Sequence, residues 1–212
     1  MLASPPAALT VSPTRIVVAA GERRTLEIAN NGTAAVAVVV STAGYAVGLR
    51  GTPRVAGASG LLAVRPRRVT IPPGGSAAVL VSPVRSAPRD RAALVLVASR
   101  PTGGAVGVSV RIGVLVLVRG THAAVHRVVP VALRVRGRRW LELSVRNLGT
   151  ASERLSAANV RFVRPAGVRV APRELLPRTR GIVRVRIRAP APAFGVVRIL
   201  GRTYRLRVAG RR

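Results

Sequence analysis

Apolar residues in this chain come in short runs, and glycine, proline, asparagine or serine cuts each run within about ten residues. Punctuation at that interval leaves no room for long helices. No stretch of about ten residues carries the three-to-four-residue apolar repeat of an amphipathic helix. The runs are rich in Val, Ile and Leu, the residues that suit a pleated, half-buried surface. In the first half they predict strands over residues 9–18, 24–29, 35–43, 61–64, 76–81, 92–99 and 106–118. Turn signals separate them at Ala20-Gly21, Asn30-Asn31-Gly32, Pro72-Pro73-Gly74-Gly75 and Pro101-Thr102-Gly103-Gly104.

Seven strands so spaced suit an antiparallel immunoglobulin-like sandwich of about 100 residues, and the 212 residues suffice for two. The expected fold is all-β: two tandem immunoglobulin-like antiparallel β-sandwiches, residues 1–120 and 121–212, with Gly120-Thr121 as the hinge. An internal echo supports the division. Arg23-Arg24-Thr25-Leu26-Glu27-Ile28 followed by Asn31-Gly32-Thr33-Ala34 returns as Arg138-Arg139-Trp140-Leu141-Glu142-Leu143 followed by Asn147-Leu148-Gly149-Thr150-Ala151, with a two-residue difference in spacing. Trp140, the single tryptophan, is expected to anchor the second core rather than to serve as an exposed stacking platform.

The second half alternates strictly, as in Val183-Arg184-Val185-Arg186-Ile187-Arg188 and Tyr204-Arg205-Leu206-Arg207-Val208. A strand sends successive side chains to opposite faces, so Arg184, Arg186 and Arg188 make one exposed row and Arg205 and Arg207 another. The net charge is +30, and all 36 basic residues are arginine. Arginine without a single lysine or glutamine is the mark of a GC-rich genome. Most of these cations are therefore read as the solvated faces of strands. Residues 121–212 carry +19 against +11 for residues 1–120, so an anionic polymer, if one is a partner, belongs to the second domain and its arginine rows. Phe162, Phe194, Tyr45 and Tyr204 are too scattered for the aromatic platform of a single-strand binder. Disorder is excluded by a 49% hydrophobic composition.

Material for catalysis is thin. There is no cysteine, hence no thiol nucleophile, thiolate metal site or disulfide. The six acids are Glu22, Glu27, Asp90, Glu142, Glu153 and Glu174, and Glu22, Glu27 and Glu142 stand beside arginines as surface ion pairs. His122 and His126 have a metal-like spacing but no predicted helix and no acid near them in sequence, short of the four ligands that zinc takes. Gly74-Gly75 and Gly103-Gly104 lack the lysine of a phosphate loop. The chain is expected to be no enzyme, to use no cofactor or metal, and to take no small-molecule substrate. Apolar runs such as 34–40 and 112–118 are about seven residues long, too short to span a bilayer as a helix. Met1 to Arg15 has neither a basic nor an apolar leader region, although Ala3 to Ala8 resembles the tail of one, and either a start upstream or a leader already removed is expected.

The opening segment, Leu9-Thr-Val-Ser-Pro-Thr-Arg-Ile-Val-Val-Ala-Ala-Gly21 and then Arg24-Thr-Leu-Glu-Ile-Ala-Asn-Asn-Gly32, resembles the first strands of PapD-like periplasmic pilus-assembly chaperones. The likeness resumes at Val108-Ser-Val-Arg-Ile-Gly-Val-Leu-Val-Leu-Val-Arg119, similar to the family's long last strand of domain one. It implies an exported protein of the periplasm or cell envelope that binds or helps assemble another envelope polypeptide. In that family the last strand of domain one donates alternating apolar side chains to an incomplete subunit, and basic residues hold the subunit's terminal carboxylate. Arg15 matches the family's first basic anchor; the second falls at Gly113, where Arg111 would serve only with a register change expected to reverse its face. The partner-binding residues so implied are Arg15, Arg111, Val110, Ile112, Val114 and Val116, within a strand that also carries Val106, Val108 and Val118. The competing role for these valines is to fill the core of their own domain.

Overall fold

The structure, a computed structural model, describes residues 9–100, 110–137, 139–165, 170–187 and 193–209. Every regular element among them is a strand: β1 (Leu9–Ser12), β2 (Arg15–Val18), β3 (Arg24–Asn30), β4 (Val36–Val47), β5 (Pro53–Ala58), β6 (Leu62–Arg65), β7 (Arg68–Ile71), β8 (Ser76–Pro83), β9 (Arg91–Arg100), β10 (Arg111–Val118), β11 (Val128–Arg136), β12 (Trp140–Asn147), β13 (Glu153–Leu155), β14 (Val160–Arg164), β15 (Arg173–Leu175), β16 (Arg180–Arg186), β17 (Phe194–Ile199) and β18 (Arg202–Ala209). The expected all-β class holds. The chain divides into two compact units: Met1–Ala46, Val55–Ala87 and Ala92–Thr121 form the first, and Val47–Arg54, Pro88–Arg91 and His122–Arg212 the second.

In the first unit one sheet runs β1-β3-β8-β6 and the other β2-β10-β9-β4-β5, with β7 paired to β4. Alternate residues from both sheets meet in one core: Leu26, Ile28, Val79 and Val81 from the first, Val38, Val40, Val95, Val97, Val114 and Val116 from the second. The single strand expected over residues 9–18 is two. Pro13 has no N–H for a ladder, and the chain changes sheets around it, β1 pairing antiparallel with β3 and β2 parallel with β10. Two strands escape sequence reading. β5 is exposed along its whole length, so it has no core face to impose alternation, and β7 is four residues enclosed between prolines at 66 and 72.

The second unit has a six-stranded sheet, β14-β17-β18-β11-β12-β16, and a two-stranded one, β13-β15. Leu133, Leu141, Leu143, Leu155, Val197 and Ile199 are among its fully enclosed side chains. Its expected alternation holds through β16, where Gly181, Val183 and Val185 face in and Arg184 and Arg186 face out.

The internal echo is a buried hydrogen-bonded device built twice. Asn30 and Asn147 are each wholly enclosed. The Asn30 amide donates to the carbonyls of Ala34, Ile71 and Pro72, and its oxygen accepts the Gly32 N–H. Asn147 donates to Ala151 and Leu175 and accepts from Gly149. Main-chain bonds complete each copy, with Asn30 N–H to Gly75 and Gly74 N–H to Asn30 in one, Asn147 N–H to Thr179 and Arg178 N–H to Asn147 in the other. The structure thus aligns Asn30-Asn31-Gly32-Thr33-Ala34 with Asn147-Leu148-Gly149-Thr150-Ala151 at constant spacing, and the two-residue discrepancy of the sequence alignment disappears. Gly74 and Arg178 occupy matching places, both at positive φ, 67° and 65°. Glycine adopts that region without cost and arginine does not. Replacing Arg178→Gly is expected to raise stability by about 1 kcal/mol, and Asn147→Ala to lower it by about 2–4 kcal/mol through the polar groups it strands, both read from urea unfolding midpoints.

Candidate functional site

Two surfaces gather the residues singled out by sequence: the free side of β10 in the first unit and the outer face of the six-stranded sheet in the second.

β2 is the terminal strand beside β10, but it is short. Its register pairs Arg15 with Leu115, Ile16 with Val116, Val17 with Leu117 and Val18 with Val118, and stops there. The Leu115 N–H reaches Thr14 and the Arg119 N–H reaches Val18, so odd-numbered residues of β10 aim their main chain toward β2. With the same period, the N–H and C=O groups of Arg111 and Gly113 point to that side, beyond the end of β2. No strand pairs with them there among the described residues. Upstream, Val110 is pinned to β9: its N–H donates to Ser99 Oγ and its C=O accepts the Ser99 N–H, both at 3.0 Å.

The valines of this strand are divided in role. Val114, Val116 and Val118 have no exposed surface and belong to the first unit's core, with Ile112 packed partly against it. Val106 and Val108 lie outside the described residues. Arg15 is half-buried, while Arg111 and Gly113 are exposed. Arg111 is two residues from Gly113 and so shares its face; the expected reversal of face does not arise, since only a one-residue slip turns a strand over. A Cβ added at Gly113 would sit 3.7 Å from Leu96 Cδ2, an ordinary contact.

The second surface follows from cross-strand register. β12 sets Trp140 opposite Arg186, Glu142 opposite Arg184 and Arg146 opposite Arg180, while β11 sets Arg134 and Arg136 on the same face. On the other half of the sheet Arg161 stands opposite Arg198, and Arg164, Arg205 and Arg207 complete the outward set. Arg188 lies outside the described residues. Among the described residues this face holds eleven arginines and one carboxylate, Glu142.

Trp140 is 39% exposed on this face rather than buried in the core. It opens β12 on the outward phase of the pleat, and the Arg184 guanidinium lies 5.4 Å from its ring centre. Arg205 lies 4.8 Å over the ring of Phe194, which is 45% exposed. Each stack contributes about 0.5–1 kcal/mol at such exposed sites. Sequence gave no sign of either stack, because each joins residues from different strands.

Glu142 is not the surface ion pair expected from its neighbours. It is 5% exposed, and its carboxylate accepts from Arg184 at 2.8 Å and from Arg136 at 3.2 Å. Burial opposes its ionisation, but the hydrogen bonds and the positive charges of Arg184 and Arg136 together outweigh burial and hold the carboxyl below its ordinary range. Glu22 does stand at the surface, bonded to the Ala19 N–H and to Arg24, which lower its pKa. Glu27 is exposed as well. His126 has an acid near it after all: its Nδ1 lies 2.7 Å from the buried Glu153, distant by 27 residues in sequence. No group of three or more His, Cys, Asp or Glu is placed to hold a metal among the described residues. A pocket of about 280 Å³ in the second unit is lined by Arg50, Arg173, Ile182 and Arg184 with small neighbours, and among the described residues no carboxylate, imidazole or hydroxyl lines it.

Solved structures supply the comparison. The fold is that of pilus-assembly chaperones. A chain of the chaperone–tip adhesin complex of CFA/I fimbriae biogenesis superposes with a TM-score of 0.67 at 8% identity, over 94% of this chain and 99% of that one. The YadV chaperone gives 0.63 at 11% identity, over 93% and 99%. A chain of the CsuC–CsuE chaperone–tip adhesion subunit pre-assembly complex of Acinetobacter baumannii gives 0.59 at 14%, over 97% and 100%. No protein-family model matches the sequence, and no curated protein matches it either. At these identities the likeness is one of fold, which is why the side chains of each surface carry the functional argument.

The Glu142 clamp has a measurable signature. Its folded-state pKa is depressed, so its contribution is complete above the ordinary carboxyl value of 4.5 and lost as pH falls through the lower folded value. Glu142→Gln is expected to cost about 1–3 kcal/mol at pH 7. The difference from wild type should shrink below about pH 4, as followed by thermal unfolding across pH.

Proposed function

We propose that this chain is an exported, non-catalytic protein of the bacterial cell envelope that holds an extended segment of another envelope polypeptide, adding it as a strand along the free side of β10. The observation that carries this reading is the short reach of β2, which ends opposite Leu115 and leaves the main-chain groups of Arg111 and Gly113 facing outward. Exposed edge groups template a further strand, and main-chain hydrogen bonds then supply affinity. Arg15 and Arg111 stand at the two ends of the open segment, about 13 Å apart along the strand at about 3.3 Å per residue. Cations so placed suit an incoming segment that carries a carboxylate.

The alternating apolar residues of β10 take a smaller part in this reading than donation by the whole strand would require, since Val114 and Val116 are committed to the unit's own core. Ile112 and Val110, both half-buried, are the apolar side chains left to contribute. The neighbouring solved structures include a chaperone–tip adhesin complex and a chaperone–subunit pre-assembly complex, which supports a partner that is itself a polypeptide and a site of action in the envelope. Neither a cofactor nor a small substrate enters.

Gly113 offers the cleanest test. Gly113→Pro removes one edge N–H without touching the core face, whereas Gly113→Ala keeps the donor and adds only an ordinary contact. In envelope extracts the wild type and Gly113→Ala are expected to retain the same polypeptide partner, and Gly113→Pro to lose it at least tenfold while keeping the wild-type circular dichroism. Undiminished capture by Gly113→Pro would sink strand addition at this edge.

A further inference from the structure

The geometry points to a second docking surface: we infer that the outer face of the six-stranded sheet in the second unit sits on a plane of anionic lipid headgroups. Codon supply explains why the cations are arginines but not where they are. In the first unit the matching outer positions of β4 and β9 pair Ala37 with Arg100, Val39 with Ala98, Ser41 with Leu96 and Ala43 with Leu94, and Ala43, Leu94 and Leu96 are themselves buried in a small apolar cluster. The outer positions of the second unit's sheet are open instead, and eleven of those described are arginines, all but Arg146 exposed.

The crowding also works against the fold. Arg146 stands directly opposite Arg180, and Arg161 directly opposite Arg198. Like charges so placed repel and destabilise the sheet. The one acid available, Glu142, is consumed by Arg136 and Arg184. An external polyanion relieves this repulsion, so the face has a thermodynamic reason to bind one.

Three features favour a lipid surface over a nucleic acid strand. The arginines spread over six adjacent strands, a two-dimensional array rather than a line following one phosphate backbone. The exposed rings, Trp140 and Phe194, lie on β12 and β17, three strand spacings or about 14 Å apart, and an arginine already covers each, so no platform for successive bases exists. Finally, apolar side chains are exposed within the strands of this sheet. Val131 and Val163 are the unpaired residues at the two bulges of this sheet, 53% and 48% exposed. Arginine, tryptophan and exposed aliphatic groups together match the chemistry of a bilayer interface, where cations meet phosphates and the aromatic ring rests at headgroup depth.

The test uses the full chain with vesicles of phosphatidylcholine alone or with phosphatidylglycerol. Co-sedimentation is expected only with phosphatidylglycerol at low salt, and Trp140, the single tryptophan, should shift its emission to the blue on binding. Replacing Arg134, Arg161, Arg198 and Arg207 by serine spares the Glu142 clamp and both ring stacks. At about fivefold per arginine near the surface, partitioning should fall about a thousandfold at low salt. A charge-matched variant with Arg23, Arg67, Arg68 and Arg85 of the first unit replaced by serine should bind nearly as wild type. Equal losses in the two variants would reduce the effect to net charge and overturn the assignment. So would sedimentation without a Trp140 shift, or tighter binding of a single-stranded oligodeoxynucleotide than of phosphatidylglycerol vesicles at the same salt.

Discussion

Most strands of this protein face a core on one side and water on the other, and the two-residue period of the pleat is what makes that possible. A chain carrying 36 arginines and a 49% hydrophobic content cannot segregate charge by segment wherever arginine alternates with valine, leucine or isoleucine, as it does in β16 and β18. The pleat segregates them by face instead. In β16 the sequence Arg180-Gly-Ile-Val-Arg-Val-Arg186 becomes Gly181, Val183 and Val185 in the core and Arg184 and Arg186 in water. A register slip of one residue would bury those cations at a cost of several kcal/mol each, so the same feature that concentrates charge on one face also fixes the strand pairing.

Register alone does not tie one sheet to its turns, and the buried asparagines take on that task. Each copy joins the end of one strand to the turn before another, 41 residues away in sequence for Asn30 and Ile71 and 28 for Asn147 and Leu175. An amide can do this where an aliphatic residue cannot, since it offers donors and an acceptor at one point and leaves the neighbouring carbonyls satisfied. That both units use the same residue, in the same place, with the same Gly-Thr-Ala following, indicates that the second unit repeats the design of the first. The repeat was visible in sequence but misaligned. The Arg-rich lead-in drew the match to the wrong offset, and only the hydrogen bonds show which asparagine corresponds to which.

Periodicity made the fold class, the main core strands and the outward arginine rows legible, because each depends on neighbours within one strand. What it hid was whatever depends on neighbours across strands or on the phase at which a strand begins. Trp140 looked like a core anchor by its size, yet it sits at the first residue of β12 on the outward phase. Glu142 looked like a surface acid by its charge, yet it is enclosed because arginines from β11 and β16 close over it. His126 lacked an acid in sequence and has Glu153 in space. The break at Pro13 was written in the sequence as plainly as any turn, but its consequence, that β2 is too short to cover β10, emerges only when the two strands are paired.

That shortness separates two kinds of recognition on one chain. At the edge of β10 the groups on offer are main-chain N–H and C=O, whose partners must lie within hydrogen-bond reach and whose strength hardly depends on salt. Across the second unit's sheet the groups are guanidinium ions whose field extends about 8 Å in physiological salt and collapses as salt rises. The edge's main-chain groups select for an extended backbone, with charge entering only through Arg15 and Arg111 at its ends; a cationic face selects for charge and is indifferent to sequence. The proposed contacts with a polypeptide and with an anionic plane would therefore rest on independent physics, one on a β10 edge that no strand covers among the described residues and the other on outward arginines of the second unit. Neither contact needs the other's residues, and for that reason variants at Gly113 and variants across the arginine face should fail separately.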